Sequence, residues 1–298
     1  MKIYDCFQFF DEDLMLDLRL NVLNKFVDYF VIVENLYMHS GKKKKQNFKI
    51  DKYKKFKNKI RYILVDKLPS DLFNLEEISL DQKSNRKIDN TLKIEHNQRN
   101  RILDGLKDAD QNDLILISDI DEIPKLENLN KEIDKKIIFF KQKIFYYKFD
   151  LYYPNKSWVG TKATLKKNLL NPQWLRDVKD RKYPLWRLDI LFNKMKYNNI
   201  KFINDGGWHF TNFKSPEQLE LKLKNFGHHV EFLESGLNIK DIEKMIRENK
   251  AIYDYKADMR QDKWSGKKDL VRANISELPD YVKQNKEKYK DWFSNKVI

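Results

Sequence analysis

Residues 113–124 read DLILISDIDEIP, an apolar run that ends by crowding Asp119, Asp121 and Glu122 together ahead of a proline. Carboxylates this close repel and raise one another's pKa unless a cation or a basic partner compensates. A divalent metal is one such compensator. Hard cations such as Mg²⁺ and Mn²⁺ prefer oxygen ligands, and Mg²⁺ takes only one or two protein carboxylates while substrate phosphates and water complete its shell. The pattern therefore points to a phosphate-bearing substrate, although Asp-x-Asp by itself also occurs in solvated turns. A second chemistry-bearing residue is His209, in IKFINDGGWHFTNF at 200–213. A lone histidine is often a packed structural residue, but two adjacent glycines, which allow unusual dihedrals or close backbone approach, favour a functional role. The lysine cluster GKKKK at 41–45 suits either phosphate binding or a solvated loop.

The elements that must position these residues are legible from periodicity. Leu114, Ile115, Leu116 and Ile117 lack polar alternation, as in a parallel strand covered on both faces, and ligands of such sheets sit beyond the carboxyl ends of the strands, where Asp119 and Asp121 fall. KIYDCFQFF reads as a first strand, after which Asp11 or Asp13 is placed to cap a helix carrying Leu16, Leu20, Leu23 and Val27. YFVIVEN at 29–35 is a strand ending at Glu34, KIRYILVD at 59–66 another, and a helix over about 88–107 leads into the strand at 114. This alternation predicts an α/β domain with a mixed, mainly parallel sheet, Rossmann-like although no Gly-x-Gly-x-x-Gly is present. Aromatic-rich strands over 137–170 predict antiparallel or mixed pairing, and NPQWLRDVK a short helix. Ser215, Pro216 and Gln218 form a capping-box start to a helix whose Leu219, Leu223, Phe226, Val230 and Leu233 read as core. A further helix over about 239–249 and a Lys-rich amphipathic tail to 293 predict a helical C-terminal extension, 236–298, packed on a domain spanning 1–235.

The composition, 41% hydrophobic against 35% charged, is that of a folded globular chain. Cys6 is the only cysteine, which excludes an intrachain disulfide and leaves the cytoplasm as the expected compartment. No apolar run approaches the roughly 20 residues of a spanning helix, and the N-terminus lacks a signal-peptide pattern. The net charge of +14 is lysine spread widely, compatible with peripheral contact to an anionic membrane but not gathered in the manner of a nucleic-acid face.

SDIDEIP together with the downstream GGWHFT resembles glycosyltransferase family 17, the family of the bisecting β-1,4-mannosyl-glycoprotein 4-β-N-acetylglucosaminyltransferase. IYDCFQFFDEDLMLDLRLNVLNKFVDYFVIVEN, HSGK, EHNQRNRIL and WHFTNFKSPEQLELKL look like successive family blocks in family order, covering most of residues 3–225, with a looser echo in LPDYVKQNKEKYKDWF. The resemblance implies a GT-A fold, a UDP-sugar donor of UDP-GlcNAc type, Mn²⁺ (or Mg²⁺), transfer with inversion and a glycan acceptor. On that reading Asp119 and Asp121 serve the metal, Asp119 alternatively acting through ribose contact or through water, and His209 completes the metal shell. Arg99 and Arg101, two apart on one helix, cannot share a face, so one reaches the diphosphate; Arg99, in HNQRN, is assigned that role, with a surface salt bridge as its alternative. Glu34, His39, Ser40 and Lys42 are assigned to uridine or phosphate. The general base is left between Glu122, which can instead orient a ligand, and Asp205, which can instead cap a turn. Vertebrate members carry a membrane anchor and act on N-glycans; this sequence has neither that anchor nor their cysteines, so a surface glycan or lipid-linked sugar is as suitable an acceptor as an N-glycan core.

Two other classes compete. A phosphohydrolase with Asp119 as nucleophile ordinarily has Thr or Val two residues after the second Asp, where Ile123 stands. A basic nucleic-acid-binding protein would gather Lys and Arg with exposed aromatics on one face.

Overall fold

The structure, a computed structural model, describes residues 1–75, 80–129, 133, 135–184, 186–187, 189–225, 229–257 and 260–294. In chain order the elements are β1 (Ile3–Phe9), α1 (Asp13–Leu23), β2 (Tyr29–Asn35), β3 (Ile60–Val65), α2 (Leu80–Asn100), β4 (Leu114–Asp119), β5 (Glu122–Pro124), β6 (Ile137–Tyr146), β7 (Leu151–Leu165), α3 (Pro172–Asp177), α4 (Asp189–Phe192), β8 (Ile200–Ile203), β9 (Gly207–Thr211), α5 (Pro216–Leu223), α6 (His229–Ser235), α7 (Ile239–Arg247), α8 (Arg260–Lys263), β10 (Val271–Arg272) and α9 (Asp280–Gln284).

One mixed sheet runs β3-β2-β1-β4-β7-β6-β9-β5, with β10 added to β7 and β8 to β6. The mostly apolar strands β1, β2 and β4 pair in parallel with β3 at the edge, and the aromatic-rich β6 and β7 pair antiparallel, as their sequence patterns predict. The change from one half to the other is the antiparallel β4–β7 pair, so Asp119, at the end of β4, lies at the seam of the sheet. On one face Leu16, Leu20, Leu23 and Val27 pack with Phe7, Phe30 and Leu116. The other face buries Tyr4, Val31, Ile115 and Ile117 against Ile102, Trp174 and Leu175. A third cluster joins Tyr146, Leu151 and Tyr153 to Phe232, Ile242 and Trp264, so the C-terminal helices share the core of β6 and β7.

Several local expectations change. The N-cap of α1 is Glu12, not Asp11 or Asp13, and its carboxylate accepts from the N–H groups of Phe10 and Asp11 at 3.0 and 3.1 Å. The helix predicted over 88–107 starts at Leu80 and gives way after Asn100 to a 3₁₀ segment, Arg101–Leu106. The Ser215–Gln218 capping box forms as predicted. The leucine stripe beyond it does not make one core face: Leu219 is buried, Leu223 lines a cavity and Leu233 is exposed, because the helix ends at Leu223 and a second begins at His229. Phe226 and the side chain of Val230 lie outside the described residues. Among the described residues no helix is long and apolar enough to cross a membrane.

Candidate active site

The Asp119–Glu122 turn is held from behind by a buried arginine. Arg19, on α1, gives Nε and Nη2 to the two oxygens of Asp5 at 2.7 and 2.6 Å, and Nη2 also to the Ser118 hydroxyl. Its Nη1 donates to the carbonyls of Asp119, Ile120 and Glu122 at 3.0, 3.1 and 2.9 Å. Three carbonyls converging on one nitrogen bend the chain at the end of β4, and the planar guanidinium is the side chain able to serve all of them. The turn is thereby fixed without help from a ligand.

The carboxylates on that turn have different surroundings. Asp119 accepts from Arg99 Nη2 at 3.2 Å and Arg176 Nη2 at 3.1 Å. Burial works to raise its pKa, but Arg176 and then Arg99 hold the carboxyl well below the ordinary range. The basic partners that compensate Asp119 are thus two arginines. Glu122 is buried and receives four donors: the Asp119 N–H at 2.8 Å, Trp158 Nε1 at 2.6 Å, and Arg176 Nη1 and Nη2 at 2.8 and 3.1 Å. Four donors match the lone-pair sites of a carboxylate, so Glu122 orients its neighbours. Gly160 makes room for this contact: a Cβ there would stand 2.0 Å from Gln142 Oε1 and 2.9 Å from the Glu122 carboxyl carbon.

Asp121 faces His209. Strand β9 pairs antiparallel with β5, setting His209 opposite Glu122, and the Phe210 N–H donates to the Asp121 carbonyl at 2.8 Å. His209 Nε2 then stands 3.7 Å from Asp121 Oδ2, beyond hydrogen-bond length. The ring's Nδ1 is buried without a hydrogen-bond partner. Burial tends to raise the Asp121 pKa, and the imidazole beside it outweighs that and lowers it. The glycine before the GWHFT strand has a steric reason: Gly207 has φ +125° and a Cβ on it would lie 2.2 Å from the Ile123 carbonyl, so no other residue lets β9 approach β5 this closely.

A cavity of about 410 Å³ opens over these groups. It is lined by Arg99, Asp119, Asp121, Glu122 and His209, by Asn35 and His39 on the β2 side, and by Trp158, Tyr253, Tyr255 and Trp264 on the other. His39 lines the cavity 3.4 Å from Gln98 Oε1, with burial lowering its pKa. Arg99 also reaches the cavity, while Arg101 turns to the surface and pairs with Asp104.

Other predicted residues lie elsewhere. Glu34 is fully buried behind the cavity, accepting from Lys44 Nζ, from the N–H groups of Asn47 and Phe48 at 2.7 and 3.0 Å, and from the Tyr62 hydroxyl at 2.8 Å. Its task is to fold the lysine loop back onto the sheet. That loop sends Lys44 to the cavity wall in place of Lys42, which points to solvent. Ser40 donates to Asn225 Oδ1 at 3.1 Å, joining the loop after β2 to the end of α5. Asp205 is outside the cavity lining, 74% exposed and paired with Lys125 at 2.5 Å.

Among the described residues no group of three or more His, Cys, Asp or Glu side chains is arranged to hold a metal ion. A divalent cation would rest on Asp121 and His209, a two-residue set that suits Mg²⁺ or Mn²⁺, which leave positions to phosphate and water.

The family model of Glycosyltransferase family 17 matches residues 1–294, nearly the whole chain. The chain belongs to glycosyltransferase family 17. It is a glycosyltransferase, and the family implies a sugar donor and a glycan acceptor. No curated protein matches it. Within this glycosyltransferase, sequence reasoning missed Arg19, Asn35, Lys44, Arg176 and the rings of Trp158, Tyr253, Tyr255 and Trp264. Arg19 reads there as one polar position on an amphipathic helix, and Arg176 as part of a short helix with no motif.

Proposed function

We propose that this glycosyltransferase transfers N-acetylglucosamine from UDP-GlcNAc to a glycan hydroxyl with inversion, on a GT-A-type fold, with Mn²⁺ or Mg²⁺ at Asp121 and His209 beside Asp119. The observation that carries the reading is the juxtaposition of the Asp121–His209 pair, 3.7 Å apart, with Arg99 on the same cavity wall. A cation-holding pair next to a guanidinium is what a diphosphate requires. When bound, the metal supplies Lewis-acid neutralisation of the charge that develops on the departing UDP.

The chain's own groups do the rest. Asn35 lines the cavity at the end of β2, and its Nδ2 is buried with no hydrogen-bond partner, so it is set to donate to a uracil oxygen. Arg99, held by Glu95 at 2.7 Å and Gln173 at 2.5 Å, keeps its orientation while facing the diphosphate. The acceptor oxygen forms its bond to C1 as the bond from C1 to the β-phosphate oxygen breaks; the electron pair leaves with UDP and the hydroxyl proton is released. Glu122 orients Arg176 and Trp158 and is not assigned to take that proton.

The test is UDP release from a panel of nucleotide sugars with Mn²⁺, Mg²⁺ or a chelator. UDP-GlcNAc should be the best donor and GDP-mannose much weaker, with turnover lost on chelation. Equal turnover of both donors, or turnover indifferent to chelation, would contradict the corresponding part of the proposal.

A further inference from the structure

Five rings follow one another along one wall of the cavity. His209 and Trp158 have centroids 5.1 Å apart, Trp158 and Tyr255 5.6 Å, Tyr255 and Tyr253 5.2 Å, and Tyr253 and Trp264 5.1 Å. All five line the cavity. The run starts at the residue set to hold the metal and ends at Trp264, just past α8, in the C-terminal third of the chain.

The rings are fixed from behind. Trp158 Nε1 donates to Glu122 at 2.6 Å, Lys156 Nζ to the Tyr255 carbonyl at 2.7 Å, the Tyr253 N–H to the Tyr146 hydroxyl at 3.2 Å, and Trp264 Nε1 to Glu231 at 3.3 Å. The Tyr153 hydroxyl donates to Asp254, pinning the residue between the two tyrosines. A ligand meeting such a wall is spared the entropy of ordering it.

Strand order decides which substrate it meets. Asn35 and Gln8 reach the cavity from β2 and β1, and Trp158 and His209 from β7 and β9, with Asp119 on β4 between them. The nucleotide end and the ring wall therefore lie on opposite sides of the reaction centre. Pyranose rings have apolar C–H faces edged by hydroxyls, which suits flat aromatic faces with polar groups at their rims.

We propose that Trp158, Tyr255, Tyr253 and Trp264 form the acceptor subsite and take an oligosaccharide, its reacting hydroxyl presented at the His209 end and its further sugars stacked toward Trp264. This rests on the glycosyltransferase reading above and deepens it.

The test is binding of triacetylchitotriose and mannotriose to the full chain in UDP and Mn²⁺, followed by tryptophan fluorescence and calorimetry. At least one trisaccharide should bind the wild type and perturb tryptophan emission. Trp264→Leu and Tyr253→Leu keep apolar volume but lose the flat face, and each should weaken that binding by about tenfold, the worth of one stacking contact. Trp264→Phe and Tyr253→Phe should recover most of it, and UDP affinity should stay at the wild-type value in all four. The proposal is overturned if neither trisaccharide binds the wild type, if folded Leu variants bind as the wild type does, or if UDP affinity falls in step with trisaccharide affinity. The wild-type arm decides even if a Leu variant does not fold. Failure of the donor reading would show separately, as absent UDP binding in the wild type, and would take this proposal with it.

Discussion

Arg176 grips Glu122 with both terminal nitrogens, at 2.8 and 3.1 Å, and lends the second of them to Asp119 at 3.1 Å. One guanidinium on α3 thus ties the first and last carboxylates of the Asp119–Glu122 turn to the next layer of the protein. Lysine, a point charge without the planar fork, cannot reproduce this. Arg176→Lys should weaken Mn²⁺-dependent UDP binding by about tenfold or more, roughly the 1.4 kcal/mol lost with one charge-assisted hydrogen bond. Calorimetry on the folded variant checks it, and unchanged affinity would leave Arg176 a purely structural residue.

Arg19 and Asp5 are both fully buried, so removing one strands the other's charge. Arg19→Met should cost about 3–5 kcal/mol of stability in urea denaturation. Adding Asp5→Leu should restore much of that stability, since apolar replacement of both members of a buried pair is often neutral. Turnover should not return with it, because the carbonyls of Asp119, Ile120 and Glu122 still lack their donor. A double variant that regains both would show that the turn holds its shape unaided.

Lys162 is buried on β7 and donates to the carbonyls of Arg176 and Val178 at the end of α3. Burial, followed by repulsion from Arg176, pushes its pKa down to about 8. An unfolded lysine titrates near 10.4, so between roughly pH 8 and 10.4 the unfolded state binds more protons and stability from this group rises with pH. Lys162→Met should remove that rise, worth on the order of 3 kcal/mol across the window. Melting curves of the two proteins between pH 7.5 and 10.5, compared as a difference, check the sign as well as the size.

The sequence made one half of the site plain and hid the other for physical reasons. Asp119 and Asp121 were legible because an apolar strand delivers them to a carboxyl edge, and His209 because Gly206 and Gly207 break the strand pattern just before it. Helical geometry showed that Arg99 and Arg101 cannot share a face, and the family-like block HNQRN, not the geometry, singled out Arg99. Glu34 also stands near a strand end, but its direction depends on Lys44, Asn47 and Phe48 folding back over it, a contact that no local period encodes. Asp205 precedes the glycines yet turns outward to Lys125, its own backbone at φ +50° in the short link between β8 and β9. The aromatic wall was invisible for a related reason: Trp158 and the residues from Tyr253 to Trp264 are distant in sequence and meet only through the packing of the C-terminal helices on β6 and β7. The leucine stripe misled because its period continues past the end of α5 at Leu223 into the separate helix α6.

The most direct measurement of the central claim is the joint affinity of Mn²⁺ and UDP for the wild type, Asp121→Ala and His209→Ala, with melting temperature taken on each protein without ligand. Either substitution should weaken metal and nucleotide together by at least about tenfold, since the diphosphate is bound partly through the metal, and should leave ligand-free melting within a few degrees of the wild type. A His209→Ala protein that melts far lower yet binds Mn²⁺ and UDP as the wild type does would make His209 a packing residue. The same affinities in a folded Asp121→Ala protein would contradict the metal-centred account altogether.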